Sequence, residues 1–372
     1  MRVLIAGHSL GEIGGVQSYE RDLASWLLAR GHSPVVYATE LGDAARQFNA
    51  LTIPVVDDLS TITAPVDIIH GDSAIETMAA LLHFPTTPAL FVCHGWEDLG
   101  RTTPRFPRIF RYVAVDDTCA DRLVTREGIA PEEISVLLNA VDMNAFRQRE
   151  PLPDKPRRAV VFGNLAHELT FLPAIRAACR QVSIELDVVS AAAGTAEEHP
   201  ESMLGGYDLA FAKAKCAMEA MACGLAVVLC SDAGLGGMVR STDFDRLRRL
   251  NFGIRTLQKP LTTETILAEL ALYDADDARR VSDRIRESAP SDALHESLLS
   301  LYENVIDEHA GLTSDWLAES RAASAFLHAL ATRERRREGR MWMLANAAQR
   351  VLQIPVVGPM GTRILRWLSA KR

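Results

Sequence analysis

Between Tyr207 and Val239 (YDLAFAKAKCAMEAMACGLAVVLCSDAGLGGMV) the chain places two lysines, one glutamate and a glycine cluster at intervals that could hold a phosphorylated ligand. Lys213 and Lys215 follow the apolar run Leu209–Ala212 and can offset anionic charge. Glu219 is the one carboxylate in the alanine- and methionine-rich stretch Lys215–Cys223, so it needs hydrogen-bond donors as partners. Gly234, Gly236 and Gly237, with Leu235 among them, follow a second apolar run, Leu225–Cys230. Glycines there permit close backbone approach and could turn successive amides toward one anion, with phosphate the expected occupant. Singly, each feature has a plainer reading: the glycine loop as an ordinary turn, the glutamate as a solvated face residue, the lysines as a solvated turn. At this spacing they describe a site.

The elements that position these residues follow from pattern. Continuous apolar runs of this length suit parallel strands buried on both faces, and Lys215–Cys223, stopped by Gly224, reads as a helix. Ligands of open α/β sheets bind at the carboxyl ends of such strands. The alternation runs through the chain. Arg2–Ala6 reads as a strand, Gly7–Val16 as a loop, 17–29 as a helix and Ser33–Ala38 as the next strand. Further strands fall at Ile53–Val56, Asp67–His70, Ala89–Cys93, Tyr112–Val115 and Ile134–Leu138. Arg149–Arg158, with three prolines, has linker composition. A second series begins with strand Ala159–Phe162 and loop Gly163–His167, and helices fill 243–310. The expected fold is α/β: two Rossmann-like parallel-sheet domains, 1–150 and 157–310, facing a cleft, then a helical basic tail, 311–372.

Composition bounds the class. Apolar content of 48% and charged content of 24% are those of a soluble globular protein. The net charge of −8 is uneven: from Arg333 onward ten basic residues face two acidic ones, leaving 30 against 46 before it. The six cysteines show no CxxC pair or zinc spacing and mostly sit in apolar runs, which predicts reduced thiols in a cytoplasmic protein. MRVLIAG reads as a first strand, not a signal peptide, and no apolar stretch is long enough to predict a membrane span.

Four segments in this order resemble family 4 retaining glycosyltransferases (group 1) of the two-Rossmann GT-B architecture, over roughly residues 1–310. They are GGVQSYERDLASWLLARGH (Gly14–His32), CHGWED (Cys93–Asp98), VAVDDTCADRLV with ISVLLNAVDMNAF (within Val113–Phe146), and MEAMACGLAVV (Met218–Val228), the last being the most specific. The resemblance implies that Glu219 binds the ribose hydroxyls of a nucleotide-sugar. It implies that Gly234, Leu235, Gly236 and Gly237 bring amides to the donor, and that Gly14 and Gly15 close over the diphosphate. It sets Gly163 on the donor side and His94 beside the transferred sugar; the plainer reading of His94 is a histidine satisfied by strand-end hydrogen bonds. That plainer reading is adopted for His8 and His70.

Departures from the family accompany these matches. Phe211 stands where relatives carry a second glutamate, eight positions before Glu219, and Gly163–Pro173 (GNLAHELTFLP) lacks the basic residues that would neutralise a leaving diphosphate. Lys213 and Lys215 are the nearest replacements. Only 44 residues separate Gly163 from Asp208, so the second domain is expected to be short by a β-α element. The implied reaction is transfer of a hexose from a nucleoside diphosphate sugar to a hydroxyl with retention, the donor phosphate assisting the acceptor, with no cofactor and no metal. The implied acceptor is a glycan, a lipid-linked sugar or a small molecule. A nucleotide-sugar-binding scaffold or regulatory subunit without turnover is the alternative, favoured by Phe211 and the missing basic loop. In the tail, Trp342 and Trp367 among aliphatic and basic residues suit an anionic membrane surface, with localisation on its inner face. The competing reading is a helix pair returning to cover the first domain. No nucleic-acid partner is expected, because the basic run is short and lacks a recognisable fold.

Overall fold

The computed structural model describes residues 1–352 except 12–13, 97–102, 165, 198 and 314, with side chains described as far as Arg336 and at Trp342 and Met343. Short apolar runs become strands with both faces covered. In the first half, β1 (Arg2–Ala6) and β2 (Ser9–Leu10) precede β3 (Ser33–Tyr37), β4 (Glu40–Leu41), β5 (Val55–Val56), β6 (Ile68–Gly71), β7 (Ala89–Cys93), β8 (Ile109–Ala114) and β9 (Ile134–Val136). Seven of them form a parallel sheet ordered β5-β3-β1-β6-β7-β8-β9, while β2 and β4 pair separately. The order reverses between β1 and β6, and that switch point opens a crevice at the carboxyl edge of a doubly wound sheet. Ala6 is level with Gly71, so Gly7 and Asp72 leave the sheet side by side.

The second half contains β10 (Arg158–Phe162), β11 (Glu185–Val189), β12 (Leu209–Ala212), β13 (Ala226–Ser231) and β14 (Gly234–Met238), ordered β11-β10-β12-β13-β14. The first four are parallel and β14 runs antiparallel to β13. Its switch point lies between β10 and β12, where Gly163 and Lys213 emerge. The two-Rossmann expectation is met, and the Asp232–Met238 loop is corrected: it is a hairpin strand.

The helix Ala214–Ala222 is buried from Ala217 to Ala222, its methionines packing with Phe244, Leu247 and Phe252. Small alanines let it lie close to the sheet, and Gly224, at φ +91°, closes it in the left-handed conformation that glycine adopts without penalty. On the opposite side of the sheet Phe211 joins Val161, Ile175 and Val228 in a second cluster, a burial contributing about 2–3 kcal/mol.

The helix Ser291–Ala310, grouped from sequence with the second domain, packs instead on the first. Trp26 Nε1 donates to Asp292 at 2.7 Å, Arg111 pairs with Glu308 at 2.7 Å, and Tyr302 is wholly buried 2.6 Å from His70. A second compact unit comprises Arg105–Pro107 and the described residues from Asp315 onward. It includes one long helix, Trp316–Leu352, within the tail expected to be helical, capped by Asp315 Oδ1 accepting from the Leu317 and Ala318 amides. Trp316, Leu317, Leu327 and Trp342 are exposed along it. No helix among the described residues is long and apolar enough to cross a membrane. Arg363, Arg366, Trp367, Lys371 and Arg372 of the predicted membrane-facing tail lie outside the described residues.

Candidate active site

His94 follows β7 directly, and the parallel register sets it beside the end of β6, where Asp72 waits. His94 Nε2 lies 2.7 Å from Asp72 Oδ1, and the Tyr19 ring meets the imidazole edge-on at 4.8 Å. Asp72 is a buried carboxylate. Burial alone would raise its pKa, but His70 and His94 outweigh burial and hold it well below the usual range. His70 is not an isolated strand-end histidine: its Nδ1 is 2.6 Å from the Tyr302 hydroxyl, and its Nε2 is 3.3 Å from Asp72 Oδ2.

A cavity of about 310 Å³ connects this edge to the second sheet, with Asp72, His94, Trp96 and Thr118 on one side and Lys213 and Asn251 on the other. Thr118 Oγ1 and Asn251 Oδ1 are buried there without a hydrogen-bond partner among the described residues, which suits a polar ligand. Lys213 stands at the amino-terminal cap of the helix Ala214–Ala222, so its ammonium and the helix dipole act in the same sense on an anion. Ala214, Asn251 and Phe252 all have φ between +50° and +54°, and the Ala214 amide donates to the Phe252 carbonyl at 3.0 Å. Two of these strained residues, Ala214 and Asn251, line the cavity and the third, Phe252, is buried behind it, which marks a locally over-determined backbone. The guanidinium groups of Arg126 and Arg255 both lie over the Trp96 ring, 4.0 and 4.6 Å from its centre.

Ion pairs bridge the halves around this cavity. Arg255 pairs with Asp121, Arg249 Nε donates to Asp117 at 2.9 Å, and Lys215 Nζ lies 3.0 Å from Asp22 Oδ2. Lys215 is therefore occupied by a carboxylate of the first domain and does not line the cavity with Lys213. Glu219 also lies outside the lining. It is 8% exposed, its carboxyl accepts no hydrogen bond among the described residues, and burial, partly offset by Lys215, pushes it up to about 7.

The glycines divide. Gly15 opens the helix Gly15–Ala29, with Gly14 as its cap, and a side chain at Gly15 or Gly163 would meet open space. Gly234, Gly236 and Gly237 face protein instead. A Cβ at Gly234 would come within 2.9 Å of the Lys259 carbonyl, one at Gly236 within 3.0 Å of the Thr256 carbonyl, and one at Gly237 within 2.8 Å of Glu269. The Leu235 amide and carbonyl are both engaged by Lys259 at 2.9 Å, and Glu269 accepts from the Met238 amide at 2.8 Å. The anion cradle expected of Gly234–Gly237 is thus corrected: close packing of residues 256–259 and Glu269 accounts for these glycines. Phe211 is 1% exposed in the core of the sheet, so no carboxylate belongs there.

Sequence reasoning missed Glu20, Asp72, Tyr302, Thr118 and Asn251. Two left signals. Glu20 falls on the helix face of Leu23, Ala24 and Leu27, a carboxylate at a core position, and Asp72 leaves a buried strand at its carboxyl end. Tyr302, 232 residues from His70, left none.

Residues 13–145 match the family described as Glycosyltransferase Family 4. No curated protein matches the chain by sequence. Among solved structures, a glycosyltransferase from Rickettsia africae ESF-5 superposes with a TM-score of 0.59 at 12% identity, covering 82% of this chain and 98% of that one. HepE of Anabaena, in complex with UDP-glucose, gives 0.56 at 13% identity over 82% and 100%. Sucrose-phosphate synthase from Thermosynechococcus elongatus gives 0.54 at 11% over 82% and 99%. The shared architecture is the GT-B fold.

Proposed function

We propose, from the premise that residues 13–145 are a Glycosyltransferase Family 4 domain within a GT-B fold, that this protein moves a hexose from a nucleoside diphosphate sugar to a hydroxyl acceptor with retention, in glycan or surface-polysaccharide assembly. The observation that carries the reading is that the carboxyl edges of both sheets reach one cavity, one contributing His94 and the other Lys213 at a helix amino terminus. Lys213 is suited to the charge that develops on a departing diphosphate. His94 is suited to a hydroxyl of the sugar, and Glu219, when ionised, to the paired hydroxyls of a ribose. Gly15 and Gly163 leave room for a ligand to approach the backbone, whereas at Gly14 the Gln17 side chain lies 2.7 Å from where a Cβ would stand and would have to move for a diphosphate to reach it. Lys215 meets the diphosphate only by leaving Asp22, which makes that ion pair the contact a donor would replace. The acceptor is a glycan, lipid-linked or small-molecule hydroxyl. The protein acts in the cytoplasm, with the basic, tryptophan-bearing helix on the inner membrane face; sedimentation with anionic vesicles, before and after truncation at about Leu330, tests that placement.

The test of the reaction is release of nucleoside diphosphate from a panel of donors, with and without acceptors. HepE, which shares the fold, was captured with UDP-glucose, so uridine diphosphate sugars come first. Glu219→Ala is expected to weaken nucleotide binding and abolish release; unchanged kinetics would sink the assignment. The alternative, a nucleotide-sugar-binding scaffold, draws on Phe211 in the core and Lys215 held by Asp22. It predicts thermal stabilisation by a nucleoside diphosphate with no turnover of any donor.

A further inference from the structure

Two buried carboxyl groups meet at the switch point of the first sheet with too few donors between them: Gly7 and Asp72 leave the sheet side by side, and the Glu20 carboxyl lies against Gly7 with Asp72 as its neighbour. Glu20 is 0% exposed, and among the described residues neither of its side-chain oxygens has a hydrogen-bond partner; Asp72 Oδ2 has none among them either. His70 Nε2 is 3.3 Å from Asp72 Oδ2 but not aligned to donate well. A third buried carboxyl nearby, Glu76, makes no such demand, because Thr39 donates to it at 2.7 Å and Ser73 donates to its other oxygen. Ionised carboxylates only accept, so bare oxygens in the interior call for a proton on one of the pair.

The surroundings choose which one. Asp72 has a histidine on each side, whereas Glu20 makes no ion pair among the described residues and sits beside Gly7 just after β1, where a Cβ on Gly7 would come within 2.6 Å of its Oε1. Burial first, then the charge of Asp72, raise the Glu20 pKa well above the usual range. Tyr302 is held as the neutral phenol by burial, with its hydroxyl 2.6 Å from His70 Nδ1; donation in that direction matches a His70 proton on Nε2, the nitrogen that faces Asp72.

We propose that Glu20 is a neutral acid donating to Asp72, that Asp72 carries the single negative charge of the pair, and that Asp72 is the positioning residue of His94. His94 then keeps its proton on Nε2, directed at Asp72 Oδ1, and offers Nδ1 as an acceptor to a substrate hydroxyl. Tyr302 reaches this relay from a helix that follows the second domain in the chain, so the site of the first domain is completed by residues beyond the second. The catalytic consequence rests on the transferase reading; the proton assignment does not.

The discriminating pair is Asp72→Asn against Glu20→Gln. An amide mimics a neutral acid but not a carboxylate, so Asp72→Asn is expected to lower kcat about 100-fold or more with donor KM held within a fewfold, at least tenfold more than Glu20→Gln lowers it. Tyr302→Phe is expected to lower kcat by a smaller factor, roughly fivefold, because it removes one link of the relay. Two readouts stand apart from activity. Recorded well above pH 7, where Glu219 is ionised, the infrared carbonyl band of a protonated carboxylic acid should be present in the wild-type protein, absent in Glu20→Gln and retained in Asp72→Asn. Histidine nitrogen NMR should show His94 protonated at Nε2 in the wild type and in Glu20→Gln, and altered in Asp72→Asn. Equal losses in the two amide variants, or no acid band in the wild type, overturn the proposal. If the wild type turns over no donor, the transferase reading fails while the spectra on the unmodified protein still decide the proton assignment.

Discussion

The two switch points of this molecule are built from opposite materials. Where β1 and β6 part, Glu20, His70, Asp72, His94 and Tyr302 form a buried polar relay that ends at the cavity. Where β10 and β12 part, the strand is apolar through Phe211 and Ala212, and Lys213 is the first residue able to do chemistry. The second site compensates through its backbone, with a helix amino terminus and the strained residues Ala214, Asn251 and Phe252, each storing on the order of 1–3 kcal/mol. The first half presents an oriented side chain and the second presents positive potential. A reacting sugar held between an acceptor hydroxyl and a leaving diphosphate asks for that division.

The comparison can be broken at several points. The largest effect is expected from Phe211→Glu, which would make the second site resemble the first by restoring a carboxylate. A charge without a partner in the core, added to the lost aromatic packing, should cost about 5 kcal/mol or more in denaturant unfolding; an unaltered midpoint would show that the position tolerates polarity after all. Glu219 offers the next test. Burial raises its pKa to about 7, so the native state favours the proton; the associated stability is full below the ordinary glutamate range and is lost as pH rises through about 7. The span is worth about 3 kcal/mol, and Glu219→Gln should flatten it in ligand-free melts across that range. Lys213→Ala is expected to lower kcat about 100-fold, roughly 2.7 kcal/mol of transition-state stabilisation, with partial recovery in Lys213→Arg. Full activity in the alanine variant would remove positive potential from the second site's proposed role. The smallest effect is that of Asp22→Asn, which releases Lys215. The pair is partly exposed, so stability should fall by less than about 1 kcal/mol. Donor KM should drop a fewfold, whereas an unchanged KM would make Lys215 a strut between domains.

Much of the architecture was legible because the strands are buried on both faces. Leu209–Ala212 and Ala89–Cys93 match their predicted bounds, since an unbroken apolar run flanked by turn residues has few other ways to hide. The glycine cluster misled for a related reason. Glycine is equally at home beside a phosphate and beneath a neighbouring backbone, and only the position of residues 256–259 and Glu269 distinguishes the two. Lys213 and Lys215, alike in sequence, were separated by Asp22 on a helix almost two hundred residues earlier.

By itself, then, the sequence determined the α/β alternation, the two parallel sheets and the strand ends on which His94 and Lys213 stand, because local hydrophobic pattern decides what must be buried. Tertiary structure decided which polar groups became partners: Tyr302 with His70, Asp72 with His94, and Glu20 beside Asp72. Hydrogen bonds and ion pairs act over a few ångströms, so their chemistry is set by which distant residues the packing brings together, and spacing along the chain carries no record of it.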